Sequence, residues 1–333
     1  MSLVFKLPKQ LLVFTGSLSS VLFFAGCGGE KETENGLTDV RFQMGWFAQP
    51  ERGGFFQGVQ YGHFEKQGLE VTLLNGGPQS PAGAMLAAGE ANIADLRLEE
   101  ALSLVEKGFP VVLVAAYMQH DPQGIMVHAE SETRRIEDLA GKKVLARPGI
   151  PFIDVVKKKF DIDFSLVPLS GNGALFLSDT EMAQQCFITN EPFYAKRAGV
   201  EVRTFTLADI GFDLFRVIGV RSDFLEENPE LVKGFLRGMI DGWEDYLYGE
   251  DQSKSHAMIM EMNPTLDLEG IDFAREVMLK EKLISGRSNP EGIGWMDTSR
   301  IESVMEQLVD IGFLKASLDI SSFATQEFIK AVK

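Results

Sequence analysis

Only two cysteines occur in the 333 residues, Cys27 and Cys186, so no disulfide framework holds the chain together. Histidine is nearly as scarce: His63, His120, His128 and His256 are scattered and show no metal-ligand spacing. Basic side chains are in deficit, 32 Lys+Arg against 48 Asp+Glu, for a formal net charge of −16. Such an excess repels phosphate at long range and excludes a nucleic-acid binder that works through a basic surface. After the N-terminal stretch no apolar run is long enough to span a bilayer. Internal repeats are missing too. What remains is ordinary for a globular protein, 45% hydrophobic and 24% charged, which excludes disorder and a collagen-like repeat. The length suits two domains or two lobes.

Lys6 and Lys9 form a short basic region, followed by apolar and small residues from Leu11 to Phe24. That run is too short and too broken by Ser and Gly for a spanning helix. Phe24-Ala25-Gly26-Cys27 resembles a bacterial lipobox, with Phe24 where Leu is usual. The resemblance implies a signal peptide over 1–26, cleavage before Cys27 and a lipid on its thiol; the alternative is a plain secretory signal with an incidental cysteine. The polar run Gly28 to Gly36 suits a flexible tether, read here as 27–37. With Cys27 lipidated, Cys186 has no partner, and its setting in Gln185-Cys186-Phe187-Ile188 marks a buried small hydrophobe.

From residue 38 the pattern alternates short strand-like runs with helical segments. Val40, Phe42, Met44 and Trp46 alternate as in a strand with one buried face, Gly53 to Gln67 reads as a helix ended by Gly68, and 70–74 is a second strand. Further strands are expected near 91–95, 110–118, 143–146, 165–169, 185–189, 200–205 and 214–220. Helices are expected around 82–88, 98–107, 228–248, 253–262, 268–284, 297–311 and 324–332. The alternation indicates an α/β architecture with largely parallel sheets, followed by a helical C-terminal third.

Several blocks then resemble one family: Gly45-Trp46-Phe47-Ala48-Gln49-Pro50-Glu51-Arg52-Gly53-Gly54-Phe55-Phe56, Gly62-His63-Phe64-Glu65-Lys66-Gln67-Gly68, Gln119-His120-Asp121-Pro122-Gln123-Gly124, Asp138-Leu139-Ala140-Gly141-Lys142, Thr189-Asn190-Glu191-Pro192 and Asn228-Pro229-Glu230. In order and spacing they resemble the thiamine-pyrimidine-precursor (pyrimidine synthase-like) group of ABC-transporter substrate-binding proteins, related to nitrate, alkanesulfonate and taurine binders. The resemblance implies a two-lobed periplasmic-binding-protein fold of type II, with the ligand closed between lobes. On that pattern lobe 1 comprises 38–118 and 221–333, with the helical C-terminal extension on it. Lobe 2 comprises 128–211, and the crossovers 119–127 and 212–220. The implied partners are a small-molecule ligand and a membrane ABC permease with its ATPase, for a monomer without cofactor, metal or chemistry of its own.

Candidate ligand-binding residues are Trp46, Glu51, Arg52, Gln119, Asn190 and Glu191. Trp46, at the end of the first strand, either stacks on a flat heterocycle or fills the core at a lobe edge. Glu51 and Arg52 precede a helix, where Arg52 pairs with an anionic group or the two form a surface pair or cap. Gln119 either reaches the ligand or secures the hinge. Asn190-Glu191-Pro192 reads equally as a helix start with a first-turn acid; in the resembled family the matching Glu contacts the aminopyrimidine, as a carboxylate accepting from an exocyclic amine would. Two other readings remain: a binder of nitrate, a sulfonate or another solute, and an enzyme like the fungal pyrimidine synthases. The synthase chemistry needs a lysine and a histidine near the first strand–helix loop and a cysteine-rich iron motif. From Arg41 to Gly62 there is neither Lys nor His.

Overall fold

Alternating burial sets the edge of the first sheet: in β2 (Leu69–Leu74) Leu69, Val71 and Leu73 are buried while Glu70 and Thr72 face solvent. The strands β3 (Ile93–Arg97), β10 (Arg216–Arg221) and β4 (Val111–Met118), the last at the sheet's other edge, are buried almost throughout, as strands covered on both faces must be. With β1 (Thr38–Gln43) they form one sheet in the order β2-β1-β3-β10-β4. The second sheet, in the order β7-β6-β8-β5-β9, comprises β5 (Gln123–His128), β6 (Lys143–Ala146), β7 (Ser165–Pro168), β8 (Ala183–Phe187) and β9 (Val202–Thr206). In each sheet the strand arriving from the other lobe, β10 or β5, runs antiparallel to both neighbours, whereas β1–β2–β3 and β7–β6–β8 are parallel. This computed structural model, which describes residues 36–169, 173–285 and 292–333, thus shows the two-lobed α/β fold. The leader, Cys27 and nearly all of the tether lie outside the described residues.

The chain crosses between lobes at 119–122 and 207–215, the first more briefly than the motif pattern implied and the second earlier in the chain. Residues 123–127 and 216–220, expected in the crossovers, are strands paired on both sides. Gly124 permits close strand approach: a Cβ there would lie 2.2 Å from the Phe205 carbonyl oxygen. The crossings are tied together by His120 Nδ1, 2.8 Å from Asp213 Oδ2, and by Arg300 Nη1, which donates to the same carboxylate at 2.6 Å.

Helix α1 (Gly53–Gln60) ends sooner than expected, because Gly62 takes a left-handed φ of +72° and a single 3₁₀ turn then runs to Gly68. It packs closely on α8 (Pro229–Tyr248): a Cβ on Gly54 would lie 2.2 Å from the Trp243 ring, and one on Gly242 would lie 2.3 Å from the Gly54 carbonyl oxygen. Phe42, Phe55, Phe235, Tyr117 and Trp243 fill the space beneath them, with Phe42 and Phe55 centroids 4.5 Å apart. C-terminal helix α11 (Thr298–Asp310) packs against the first lobe but also reaches the second, through Lys158 to Asp310 at 2.7 Å and Gln307 Nε2 to the Gly211 carbonyl at 3.1 Å. Among the described residues no helix is long and apolar enough to cross a membrane.

Candidate functional site

Asp95, fully buried in the middle of β3, organises the first lobe's side of the cleft. Its carboxylate accepts from the Gly45 backbone N–H at 3.1 Å, from Arg52 Nε at 2.9 Å and from the Tyr117 hydroxyl at 2.9 Å. Three donors around one buried carboxylate fix the loop carrying Trp46 and the 3₁₀ turn Pro50–Arg52. Burial and the neighbouring carboxylate push the Tyr117 hydroxyl well above its ordinary pKa, so it stays a donor. A second buried pair, Arg216 Nε to Asp121 Oδ2 at 2.8 Å, lies at the hinge. Burial raises Asp121, but Arg216, Arg97 and the Gln123 backbone N–H outweigh it and hold its pKa below the usual value.

These elements wall a cavity of about 420 Å³ between the lobes. Trp46, Glu51, Arg52, Asn190 and Glu191 all line it, so the structure brings five of the six expected residues together from segments about 140 positions apart in sequence. Gln119 does not line it. Its amide donates to the carbonyls of Ala116 and Trp295, both at 2.8 Å, and its oxygen accepts from Arg300, which makes it a tie between hinge and C-terminal segment.

Each of the five has a defined setting. Trp46 sits in the loop beyond β1, half-buried, and the Arg147 guanidinium of the second lobe lies 4.7 Å from its ring centroid. Glu51 and Arg52, read from the sequence either as ligand contacts or as a surface pair or cap, are buried at 6% and 2% exposure. Thr189 of the second lobe donates its hydroxyl to Glu51 Oε1. Glu51 Oε2 and Arg52 Nη2 are buried with no hydrogen-bond partner in the protein. Glu191 opens the short helix α6 (Glu191–Arg197) and accepts the Phe187 backbone N–H at 2.6 Å. Burial raises its pKa above the ordinary carboxylate value, against the pull of that N–H, and Glu51 adds a little repulsion. Asn190 stands at the N-cap position without capping through its side chain.

Sequence reasoning missed Arg97, Arg147, Arg216 and Glu100 on the same wall. Arg97 Nη2 donates to Gln123 Oε1 at 2.5 Å, and Glu100 accepts from the Gly83 backbone N–H at 3.1 Å. Their signal would have been position: Arg97 and Arg216 stand at ends of strands that the alternation had located. Cys186, by contrast, is buried, and burial together with Glu191 pushes its thiol well above the usual range, leaving no nucleophilic thiolate. Among the described residues, no cluster of His, Cys, Asp and Glu is arranged to hold a metal ion.

Comparison with known proteins places this geometry. A 4-amino-5-hydroxymethyl-2-methylpyrimidine phosphate synthase of Saccharomyces cerevisiae, THI11, is 23% identical over 238 residues, covering 62% of this chain and 70% of that one. The riboflavin-binding protein RibY of Chloroflexus aurantiacus is 22% identical over 308 residues, covering 88% and 86%. Among solved structures, the periplasmic aliphatic sulphonate binding protein SsuA of Escherichia coli superposes with a TM-score of 0.63 at 14% identity, over 86% of this chain and 92% of that one, which shows a shared fold. Residues 49–252, which include all of the second lobe and every residue lining this cavity except Gly45 and Trp46, match the family described as NMT1/THI5 like. The chain belongs to the NMT1/THI5-like family and carries the two-lobed fold of periplasmic solute-binding proteins.

Proposed function

We propose that the protein is the substrate-binding component of an ABC importer and that it captures a small heterocycle, a thiamine pyrimidine precursor in the first instance. The observation that carries this reading is the pair of buried, partnerless polar atoms on the cavity wall, Glu51 Oε2 and Arg52 Nη2. Burying such atoms without a partner costs about 1–3 kcal/mol each, which a bound solute would offset. The carboxylates of Glu51 and Glu191, one from each lobe, are acceptors suited to amine and ring N–H donors. Trp46 adds a flat apolar surface.

The catalytic alternative finds less support, although relatives are named as synthases. Neither Lys nor His occurs among the described residues lining this cavity, so no side chain there suits imine chemistry or the donation of an imidazole. Arg52, Arg97, Arg147 and Arg216 are the observation that favours a second reading, an anionic solute such as a sulfonate or nitrate. Buried Asp95 and Asp121 pair with Arg52 and Arg216, and Glu99 accepts from Arg97 at 2.5 Å, so much of that positive charge is already compensated. In this scheme residues 1–26 export the chain, Cys27 anchors it by lipid facing the periplasm or the exterior, and the joined lobes dock as a monomer on the permease.

Native mass spectrometry of protein purified without refolding tests the reading, followed by calorimetric titration with pyrimidine precursors, nitrate, taurine and alkanesulfonates. A heterocycle retained or bound at 1:1 stoichiometry is the expected result. Binding of sulfonates or nitrate alone removes the heterocycle assignment.

A further inference from the structure

Beyond Asn190 and Glu191 the cleft continues into a second chamber of about 720 Å³, floored by Met126, Leu169 and Phe176 and rimmed by Leu177, Tyr194 and Leu266. Gln49, Asn190 and Glu191 line both chambers and form the neck between them. Either chamber alone falls within the roughly 300–1,000 Å³ that holds a drug-sized molecule, so a single pyrimidine ring occupies only part of the space. Closure of the lobes does not remove the difference, because the lobes already touch at both ends. Glu51 is bonded to Thr189 beside the first chamber. By the second, Arg197 Nη1 meets Asp267 Oδ2 at 2.5 Å and the Phe193 and Phe273 rings lie 5.4 Å apart.

The two chambers differ in chemistry. The first has Glu51, Glu100, Glu191 and four arginines, whereas the second, beyond the shared neck and the exposed Thr265, is mainly aliphatic and aromatic, with one buried polar group. That group is Gln184, 3% exposed, whose carboxamide oxygen has no hydrogen-bond partner. It lies beside Gly173, where an added Cβ would stand only 3.3 Å from the same oxygen, so the missing side chain keeps the acceptor open. A buried acceptor in an apolar chamber calls for an N–H or O–H donor carried on an otherwise apolar group.

We propose that the cleft is a two-chamber site whose solute is a pyrimidine-containing heterocycle continued, through the neck at Asn190 and Glu191, by a second ring system bearing a hydrogen-bond donor. The first chamber holds the pyrimidine edge, and the second buries the extension, with Gln184 accepting from its donor. The inference rests on the reading of the cleft as a heterocycle site.

Calorimetric titration of the full mature chain with three probes tests it: 4-amino-5-hydroxymethyl-2-methylpyrimidine as the bare ring, and thiamine and riboflavin as ring systems with an extension. At least one extended probe is expected to bind 10-fold or more tightly than the bare ring. Leu177→Trp, which fills the second chamber from its half-buried rim, and Gln184→Met, which removes the acceptor at similar volume, are each expected to weaken that probe at least 10-fold. Both variants leave the bare ring within about 2-fold, which also shows that they fold. A bare ring that binds as tightly as both extended probes, or variants that weaken all three alike, overturns the two-chamber site and leaves the heterocycle reading standing. Failure of all three probes, with a sulfonate or nitrate binding instead, overturns both.

Discussion

Thr189→Val isolates the contact that joins the lobes beside the cavity. Valine keeps the shape of the side chain and removes only the hydroxyl that donates to Glu51 Oε1. Thr189 and Glu51 are 2% and 6% exposed, and Glu51 Oε2 already has no partner, so the variant leaves a buried carboxylate with neither oxygen bonded to a side chain of the other lobe. A hydrogen bond to a charged group contributes ~1.5–3 kcal/mol. Because separation of the lobes would return Glu51 to water, that loss falls on the joined state alone. The ratio of joined to open protein drops by about 10- to 150-fold. If the solute needs the joined state, its apparent dissociation constant rises toward that factor once the open form predominates. Small-angle scattering of the ligand-free variant should show a larger radius of gyration, and calorimetry the weaker binding. Thr189→Ser, which retains the hydroxyl, should restore both. Unchanged radius and affinity in Thr189→Val would refute the reasoning, since the bridge would then contribute nothing to lobe closure.

Gly54→Ala should lower the melting temperature, because a methyl group 2.2 Å from the Trp243 ring forces a fully buried side chain to move. Overpacking costs about 1–3 kcal/mol against roughly 1 gained in helix propensity, and a raised melting temperature would contradict the close packing of α1 on α8. Glu191→Gln should weaken heterocycle binding by ~10- to 150-fold in titration, as the charged acceptor is lost. The same variant tests the raised pKa. A carboxyl that holds its proton more tightly when folded loses stabilising effect as pH rises through its folded value, so the melting temperature of the variant relative to the parent should climb as pH rises from the ordinary carboxylate range through that raised value. A pH-independent difference would show that burial does not perturb Glu191. Cys27→Ala should release the protein from the membrane fraction in detergent partition, and retention there would exclude a lipid anchor on Cys27.

Edge strand β2 and helix α8 were legible because one face of each is wet: Leu69, Val71 and Leu73 alternate with exposed neighbours, and α8 repeats its apolar positions over 20 residues. Strand β5 was not, since Gln123-Gly124-Ile125-Met126-Val127-His128 is buried on both faces and polar at its ends. Periodicity has nothing to report in such a segment. Glu51 and Glu191 were found through motif resemblance, but their opposition across the cleft depends on how the two lobes join. Gln119 stayed open between two roles for the same reason. Its place after an apolar strand suits a ligand contact as well as a hinge tie, and only the carbonyls of Ala116 and Trp295 decide between them. The arginines at 97, 147 and 216 were hidden because their partners Glu99, Asp121 and the Trp46 ring do not form one sequence motif.

The anchoring of loop and turn on Asp95 divides the labour of the cleft. Arg52, Asp95, Tyr117, Asp121 and Arg216 form a rigid frame, whereas positions 46, 49, 187 and 190 present their side chains to the cavity without taking part in those buried pairs. A directed-evolution library confined to those four positions would therefore vary the recognition surface while the chassis stays folded. Randomising Asp95 instead would scramble Trp46 and Arg52 together, and most of its clones would fail by misfolding before selectivity could be scored. For retooling such a binder toward a new solute, the residues to leave alone are the ones that hold the loop and turn in place.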